Sequence, residues 1–102
     1  MKTILIIDGS NTKFGGVQRQ ILDLIECLEH ERFIVVRRRL DFCTTKYKSA
    51  GADIEIIDLN KLSAFKKIYK LIVKNNVKVI HSHGPSVAKY GLLCNLISNL
   101  SH

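Results

Sequence analysis

The sequence has little of several features that mark special classes of protein. It contains one proline and six glycines among 102 residues, with no internal repeat or low-complexity tract, which leaves little room for long flexible linkers. No apolar run approaches the ~20 residues of a membrane-spanning helix. The apolar residues 3–7 are too few for a signal-peptide core and lead directly into Asp8. We therefore expect one small domain over residues 1–102.

Cysteine usage argues against a disulfide-stabilised secreted protein. The three cysteines, Cys27, Cys43 and Cys94, are odd in number and widely spaced, and no Cys-x-x-Cys occurs. This pattern favours a reducing compartment, and we expect a cytoplasmic protein. We interpret the cysteines as small, buried apolar side chains.

The balance of charge is positive, with a formal net charge of +7. Such a charge suits phosphates, nucleic acid or an acidic membrane surface, and it does not choose among them. No RNA- or DNA-binding motif accompanies it, so we expect no nucleic-acid partner. The one basic run, residues 37–39, follows an expected strand. It could meet a phosphate or lipid head group, but we favour a solvated loop.

Hydrophobic patterning predicts alternating strands and helices. A continuous apolar run, typical of a strand covered on both faces, occupies residues 3–7, and shorter apolar segments at 33–36, 54–57 and 77–80 mark three further strands. Helical spacing covers about 17–29, 59–73 and 87–100, and a short helix could surround Tyr47. This order predicts a Rossmann-like, three-layer α/β/α domain with a parallel sheet of about four strands in the order 3-2-1-4.

The expected helix at 59–73 carries an apolar face and several lysines. We expect Leu62, Phe65, Ile68 and Ile72 on the buried face, with most lysines elsewhere. The lysines could touch an anionic membrane at its inner, cytoplasmic face. An ordinary charged outer face explains the same residues, and we prefer it.

Two glycines precede the first expected helix. Gly15 and Gly16 could let backbone N–H groups approach an anion at the helix N-terminus, or could simply form a tight connection. No Gly-Lys-Ser/Thr follows, so the loop is not a Walker A motif. The Gly-x-Gly-x-x-Gly pattern is also missing, so a nicotinamide or flavin cofactor is not supported.

Two histidines end the fourth expected strand. His81 and His83, two residues apart, could share a face of the sheet as metal ligands or as donors to a ligand. A catalytic zinc needs a third ligand, and neither Cys94 nor His102 stands at a zinc-site spacing. We therefore expect no metal. The alternatives left are a ligand-binding role, or one packed and one partly exposed histidine.

Three segments together resemble family 4 of the glycosyltransferases, which have the GT-B fold. Residues 4–8 leading to 15–20 are similar to the family's Gly-Gly loop and first helix. Residues 50–56 are similar to its Gly-containing approach to strand three. Residues 79–85 are similar to its strand ending in His-x-His. The resemblance covers about residues 2–100.

The resemblance implies a two-domain enzyme with its active site in the cleft. The N-terminal domain receives the acceptor, a glycan or lipid-linked sugar. The C-terminal domain binds the nucleotide-sugar donor, and transfer retains anomeric configuration without a metal or other cofactor. It further implies donor phosphate or sugar contacts at Gly15, Gly16 and Arg19, and acceptor-side positions at His81, His83 and Gly84. It assigns no catalytic residue.

We expect the donor-binding domain to be absent from residues 1–102. No Glu-x7-Glu donor motif occurs, so we expect residues 1–102 to be a partial N-terminal domain that cannot transfer sugar alone. We also expect self-association through the sheet edge beyond the fourth strand. Three interpretations compete with a glycosyltransferase: a Rossmann-like module that binds a phosphate ligand without catalysis, a remnant with no ligand, and nucleic-acid binding, which only the net charge supports.

Overall fold

The computed structural model describes residues 2–9 and 16–83, which form a parallel β-sheet flanked by helices. The elements in chain order are β1 (Thr3–Asp8), α1 (Gly16–Cys27), β2 (Arg32–Arg37), α2 (Phe42–Ser49), β3 (Asp53–Ile56), α3 (Ser63–Asn75) and β4 (Val79–His83). The strand order is β3-β2-β1-β4 and all three pairings are parallel. The predicted α/β architecture and strand order are confirmed. The helix expected at 87–100 lies outside the described residues.

The central strand β1 is covered on both faces. Its apolar residues 4–7 are each 5% exposed or less. Leu5 and Ile7 join the apolar cluster on one face of the sheet, whereas Ile4 and Ile6 join the cluster on the other. Successive side chains of a strand point to opposite faces. A central parallel strand must therefore be apolar throughout, and this explains the unbroken run.

Helix α3 covers the first face. Its side chains Ala64, Ile68 and Ile72 are buried against Leu5 and its neighbours. The helix ends at Asn76, which adopts a left-handed conformation (φ 51°) and donates its backbone N–H to the last turn. The chain can then turn at once into β4.

Leu62 does not share the buried face of α3, contrary to the sequence-based expectation. It precedes the helix and is 87% exposed, whereas Ile68 is fully buried. Each helical residue advances by roughly 100°, so Leu62 lies about 120° from Ile68 around the axis. The apolar spacing in the sequence grouped Leu62 with residues that lie on a different face of the helix.

Helices α1 and α2 cover the second face. Ile21, Leu22 and Ile25 of α1 and Cys43 and Tyr47 of α2 pack together there. The short helix expected around Tyr47 is therefore confirmed.

The cysteines do not share one environment. Cys43 is buried, as expected, but Cys27 is exposed, because it is the last residue of α1 and does not belong to that helix's buried face. Cys94 lies outside the described residues. None of the described helices is long and apolar enough to cross a membrane.

Two substitutions on α3 test this packing. We expect Ile68→Ala to lower the free energy of unfolding by about 2–5 kcal/mol, because it opens a cavity in the core. Leu62→Ala removes an exposed side chain and should change the free energy of unfolding by about 0.5 kcal/mol or less. Urea unfolding followed by circular dichroism measures both, and equal losses would contradict the orientation of α3.

Candidate functional site

Three strands bring their last residues to one edge of the sheet. β1 ends at Asp8, β2 at Arg37 and β4 at His83, and α1 begins at Gly16. The strand order reverses between β1 and β4. In open α/β sheets, ligands bind beyond the carboxyl ends of the strands at such a reversal. This carboxyl edge is therefore the candidate site.

A buried ion pair joins the end of β1 to the end of β2. Arg37 donates from Nη1 to Oδ2 of Asp8 at 2.5 Å, and the two side chains are 2% and 0% exposed. The hydroxyl of Tyr47, on α2, donates to the same oxygen at 3.1 Å. A buried charge is tolerated only when it is paired and hydrogen-bonded. Asp8 meets both conditions.

The same arginine holds the start of α2. Its Nη2 donates to Oδ2 of Asp41, the N-cap residue of that helix. Oδ1 of Asp41 accepts from the backbone N–H of Thr44 at 3.1 Å, and Oγ1 of Thr44 accepts from the backbone N–H of Asp41 at 2.8 Å. This reciprocal capping box satisfies donors that a helix leaves unpaired. Arg37 thus links two strands to one helix.

Burial and charge fix the protonation states of Arg37 and Tyr47. Burial by itself would lower the pKa of Arg37, but its hydrogen bonds and charge interactions with Asp8 and Asp41 outweigh burial and raise that pKa. Burial is also the main cause that raises the pKa of Tyr47 far above its ordinary range, helped by the charge of Asp8. Arg37 stays a cation and Tyr47 stays a hydroxyl donor. The cluster therefore acts as a fixed support.

The prediction that residues 37–39 form a solvated loop is wrong for Arg37. Arg37 is 1% exposed, because strand alternation turns it to the face covered by α1 and α2, as it does Phe33 and Val35. Arg38 is half-buried and donates to the carbonyl oxygen of Gly9 at 3.2 Å and to Oδ1 of Asn60 at 2.7 Å. Only Arg39 is exposed.

Sequence reasoning missed the whole cluster of Asp8, Arg37, Asp41 and Tyr47. A signal was present: Asp8 and Arg37 each end an apolar strand, and the pairing of Ile7 with Val36 makes them neighbours. Residue Asp41, with Thr44 three positions later, also fits a helix N-terminus.

Gly16 is the first residue of α1, and no described residue packs against its Cα atom. A Cβ atom built there would meet no atom within 4 Å among the described residues, and the φ angle of Gly16 is not positive. Neither packing nor backbone conformation in the described residues therefore requires glycine. The first turn of α1 carries no acidic residue, and Arg19 is exposed. Gly15 lies outside the described residues.

The histidine segment lies beside the end of β1. In the register of β1 and β4, His81 pairs with Ile6 and His83 with Asp8. The side chain of His81 is exposed, and Gly84 lies outside the described residues. Within residues 2–9 and 16–83, no three His, Cys, Asp or Glu side chains come together as metal ligands.

A separate groove of about 730 Å³ runs along the β3 edge between α2 and α3. Charges of both signs line it, including Lys48, Lys74 and Glu55. Arg32 pairs there with Asp53 at 3.0 Å. None of the residues predicted as site residues belongs to this groove.

Comparisons with known proteins name no relative of this chain. No family model matches it, and neither the curated proteins nor the solved structures gave a significant match. The resemblance to family 4 glycosyltransferases therefore stays a prediction, and a function must be argued from the fold and the carboxyl edge.

Arg37→Met tests whether the fold depends on the buried cluster. The substitution leaves Asp8 buried without its cationic partner, so we expect the free energy of unfolding to fall by about 3–5 kcal/mol. Arg39→Met, two residues away and exposed, is the matched control and should cost about 0.5 kcal/mol or less. Urea unfolding of both variants measures the difference. Similar stabilities would show that Arg37 does not hold the edge together.

Thiol labelling tests the burial of Cys43 in the native protein. Burial raises the pKa of Cys43, so less of it is thiolate at neutral pH, and its sulfur is also shielded from reagents. In a Cys94→Ser background, iodoacetamide should modify Cys27 promptly and Cys43 only after denaturation. Mass spectrometry of the peptides reads both sites. Rapid native labelling at Cys43 would contradict the packing of α2.

Proposed function

We propose that this chain is the acceptor-side, N-terminal domain of a retaining glycosyltransferase with the GT-B architecture. The observation that carries the proposal is the pairing of β1 with β4, in which Asp8 lies next to His83. Through this pairing the His-x-His segment shares one edge with the strand that leads to the glycine loop. These are two of the three segments that carry the sequence resemblance.

The properties of Gly16 support a close ligand at this edge. With no packing or conformational need for glycine among the described residues, the open space beside Gly16 suits a group that approaches the backbone. The N-terminus of a helix favours an anion, and the first turn of α1 has no carboxylate to repel it. Under the proposal, Gly15, Gly16 and Arg19 contact the phosphates or transferred sugar of a nucleotide-sugar donor.

The supporting cluster gives the edge the rigidity that a transferase needs. Arg37 fixes the ends of β1 and β2 and the start of α2, while Arg38 ties Gly9 to Asn60. Positioning of reactants depends on supports that do not move. Under the proposal, His81, His83 and Gly84 lie on the acceptor side, and the donor domain supplies most nucleotide contacts and completes catalysis.

A second candidate is a Rossmann-like module that binds a phosphate ligand without catalysis. The same helix terminus favours it, because α1 offers backbone N–H groups and no acidic side chain in its first turn. The two candidates differ in the role of the His-x-His segment. A phosphate module needs only the glycine loop, whereas an acceptor domain also binds sugar beside β4.

Nuclear magnetic resonance titration separates the candidates. We expect UDP-glucose or GDP-mannose to shift the amide signals of Gly16 and Arg19 weakly, and an oligosaccharide acceptor to shift those of His81 and His83. Gly16→Val should lower the affinity for the nucleotide-sugar at least roughly tenfold. It should leave the fold intact, since no described atom lies within 4 Å of the added Cβ atom. His81→Ala should weaken the response to the oligosaccharide.

His30→Ala is the matched control, because His30 is exposed between α1 and β2 at the opposite edge of the sheet. It should change neither response. Equal binding of inorganic pyrophosphate, UDP and UDP-glucose with no response to any sugar would favour the phosphate module. No response to either class of ligand would reject both candidates.

A further inference from the structure

Strand β3 lies at one end of the described sheet and pairs there only with β2. The backbone N–H of Ile57, directly after β3, donates to the carbonyl oxygen of Arg37 at 2.9 Å. Backbone groups alternate in direction along a strand, so those of Glu55 also point to β2, whereas those of Ile54 and Ile56 point away from it. These outward groups have no hydrogen-bond partner within the described part of the chain.

The groove of about 730 Å³ lies along this outer edge of β3. Its volume is in the range of ligand-binding clefts, ~300–1,000 Å³. Side chains of α2 line one side of the groove and side chains of α3 line the other, with β3 between them. A further strand hydrogen-bonded to β3 would lie about 4.8 Å from it, within this space.

The two faces of β3 differ in chemistry. Ile56 pairs with Arg37 and therefore lies on the face covered by α1 and α2. On that face Ile56 is 41% exposed, and Leu40, which also lines the groove, is 75% exposed. Glu55 pairs with Val36, which faces α3, so the exposed side chain of Glu55 lies on the other face. The edge offers apolar contacts toward α2 and a carboxylate toward α3.

The amino end of β3 is positively charged. Lys48 and Lys74, from the last turns of α2 and α3, both line the groove there. Arg32 lies at the same end, where it pairs with Asp53 and donates to Asn75 at the end of α3. Within the described residues, neither Lys48 nor Lys74 has a carboxylate partner. This end of the groove therefore favours a negative group.

The charges of β3 disfavour its pairing with a second copy of itself. Antiparallel pairing of Ile54 with Ile56 of another copy sets the two Glu55 side chains directly opposite each other. Pairing Ile54 with Ile54 sets Glu55 opposite Asp53 instead. Like charges in these positions are destabilising, and edge strands use charges in this way to avoid self-pairing. A different chain can place a basic side chain opposite Glu55.

We propose that the outer edge of β3 binds an extended peptide of a partner protein as an added antiparallel strand. Two residues of the peptide exchange backbone hydrogen bonds with Ile54 and Ile56. The residue between them is basic and lies opposite Glu55. The residue that pairs with Ile56 is apolar and packs against Leu40, because both side chains are exposed on that face.

The antiparallel direction places the end of the peptide chain at the amino end of β3. An acidic residue or a terminal carboxylate there meets Lys48 and Lys74. Antiparallel pairing is also slightly more stable per residue than parallel pairing. The proposal does not rest on the glycosyltransferase assignment, because none of the residues assigned to that function lines the groove.

Nuclear magnetic resonance with a probe peptide tests the proposal on the whole chain. The probe is acetylated Ser-Val-Lys-Val-Ser-Glu, in which the first valine pairs with Ile56, the lysine with Glu55 and the second valine with Ile54. At saturation, amide hydrogen exchange at Ile54 and Ile56 should slow at least about tenfold, because both N–H groups gain a partner. Exchange at Glu55, whose N–H already points to β2, should change by less than about twofold.

Backbone N-methylation of the probe tests the direction of the added strand. N-methylation of the second valine removes the N–H that donates to the carbonyl oxygen of Ile54, and should weaken binding at least about tenfold. N-methylation of the lysine is the matched control. Its N–H points away from β3 in an antiparallel strand but toward β3 in a parallel one, so the affinity should change by less than about threefold.

Charge variants test the contacts at the two positions. Lys48→Gln/Lys74→Gln should lower the affinity for the probe about three- to tenfold at low salt. The control Lys66→Gln/Lys70→Gln removes the same charge from exposed positions of α3 outside the groove and should stay within about twofold. Glu55→Lys should weaken binding of the probe and strengthen binding of a probe with glutamate in place of lysine. Thermal melts verify that each variant folds.

Four results would overturn the proposal: no slowing of exchange at Ile54 and Ile56, equal effects of the two N-methyl groups, a larger effect of the methyl group on the lysine, or equal losses for the two lysine pairs. A dimer that protects Ile54 and Ile56 without any peptide would instead assign the edge to a second copy of this chain.

Discussion

The guanidinium of Arg37 is the group on which the described structure depends. It lies between the carboxylates of Asp8 and Asp41, almost fully removed from water, and so joins the ends of β1 and β2 to the first turn of α2. Burying a cation costs desolvation free energy, and its ion pairs offset that cost only if the geometry of the pairs is kept. The described ends of β1 and β2 and the start of α2 are consequently held together by one buried cation.

The cluster also shapes the chemistry available at the edge. Asp8 lies at the carboxyl end of the central strand, a usual place for a functional carboxylate, but its Oδ2 accepts from both Arg37 and Tyr47, and the residue has no exposed surface. The contacts described for Asp8 are therefore structural. The accessible groups are at the periphery, namely the N-terminus of α1 at Gly16, Arg19 and His81. These groups suit recognition of a phosphate or a sugar, which is why the proposed function assigns binding rather than bond-breaking to this chain.

The sequence by itself determined the architecture. Apolar segments alternating with helical spacing specify parallel strands and crossover helices, and right-handed crossovers leave few strand orders. The order β3-β2-β1-β4 follows from such local patterns. Tertiary structure decided which polar residues are buried. Arg37 and Arg39 are the same residue type in one basic run, yet one is buried and the other exposed, because only the pairing of β1 with β2 brings Asp8 to Arg37. Leu62 was misassigned for a related reason: spacing predicts that a helix has an apolar face, but the packing of α3 on the sheet selects which side is covered.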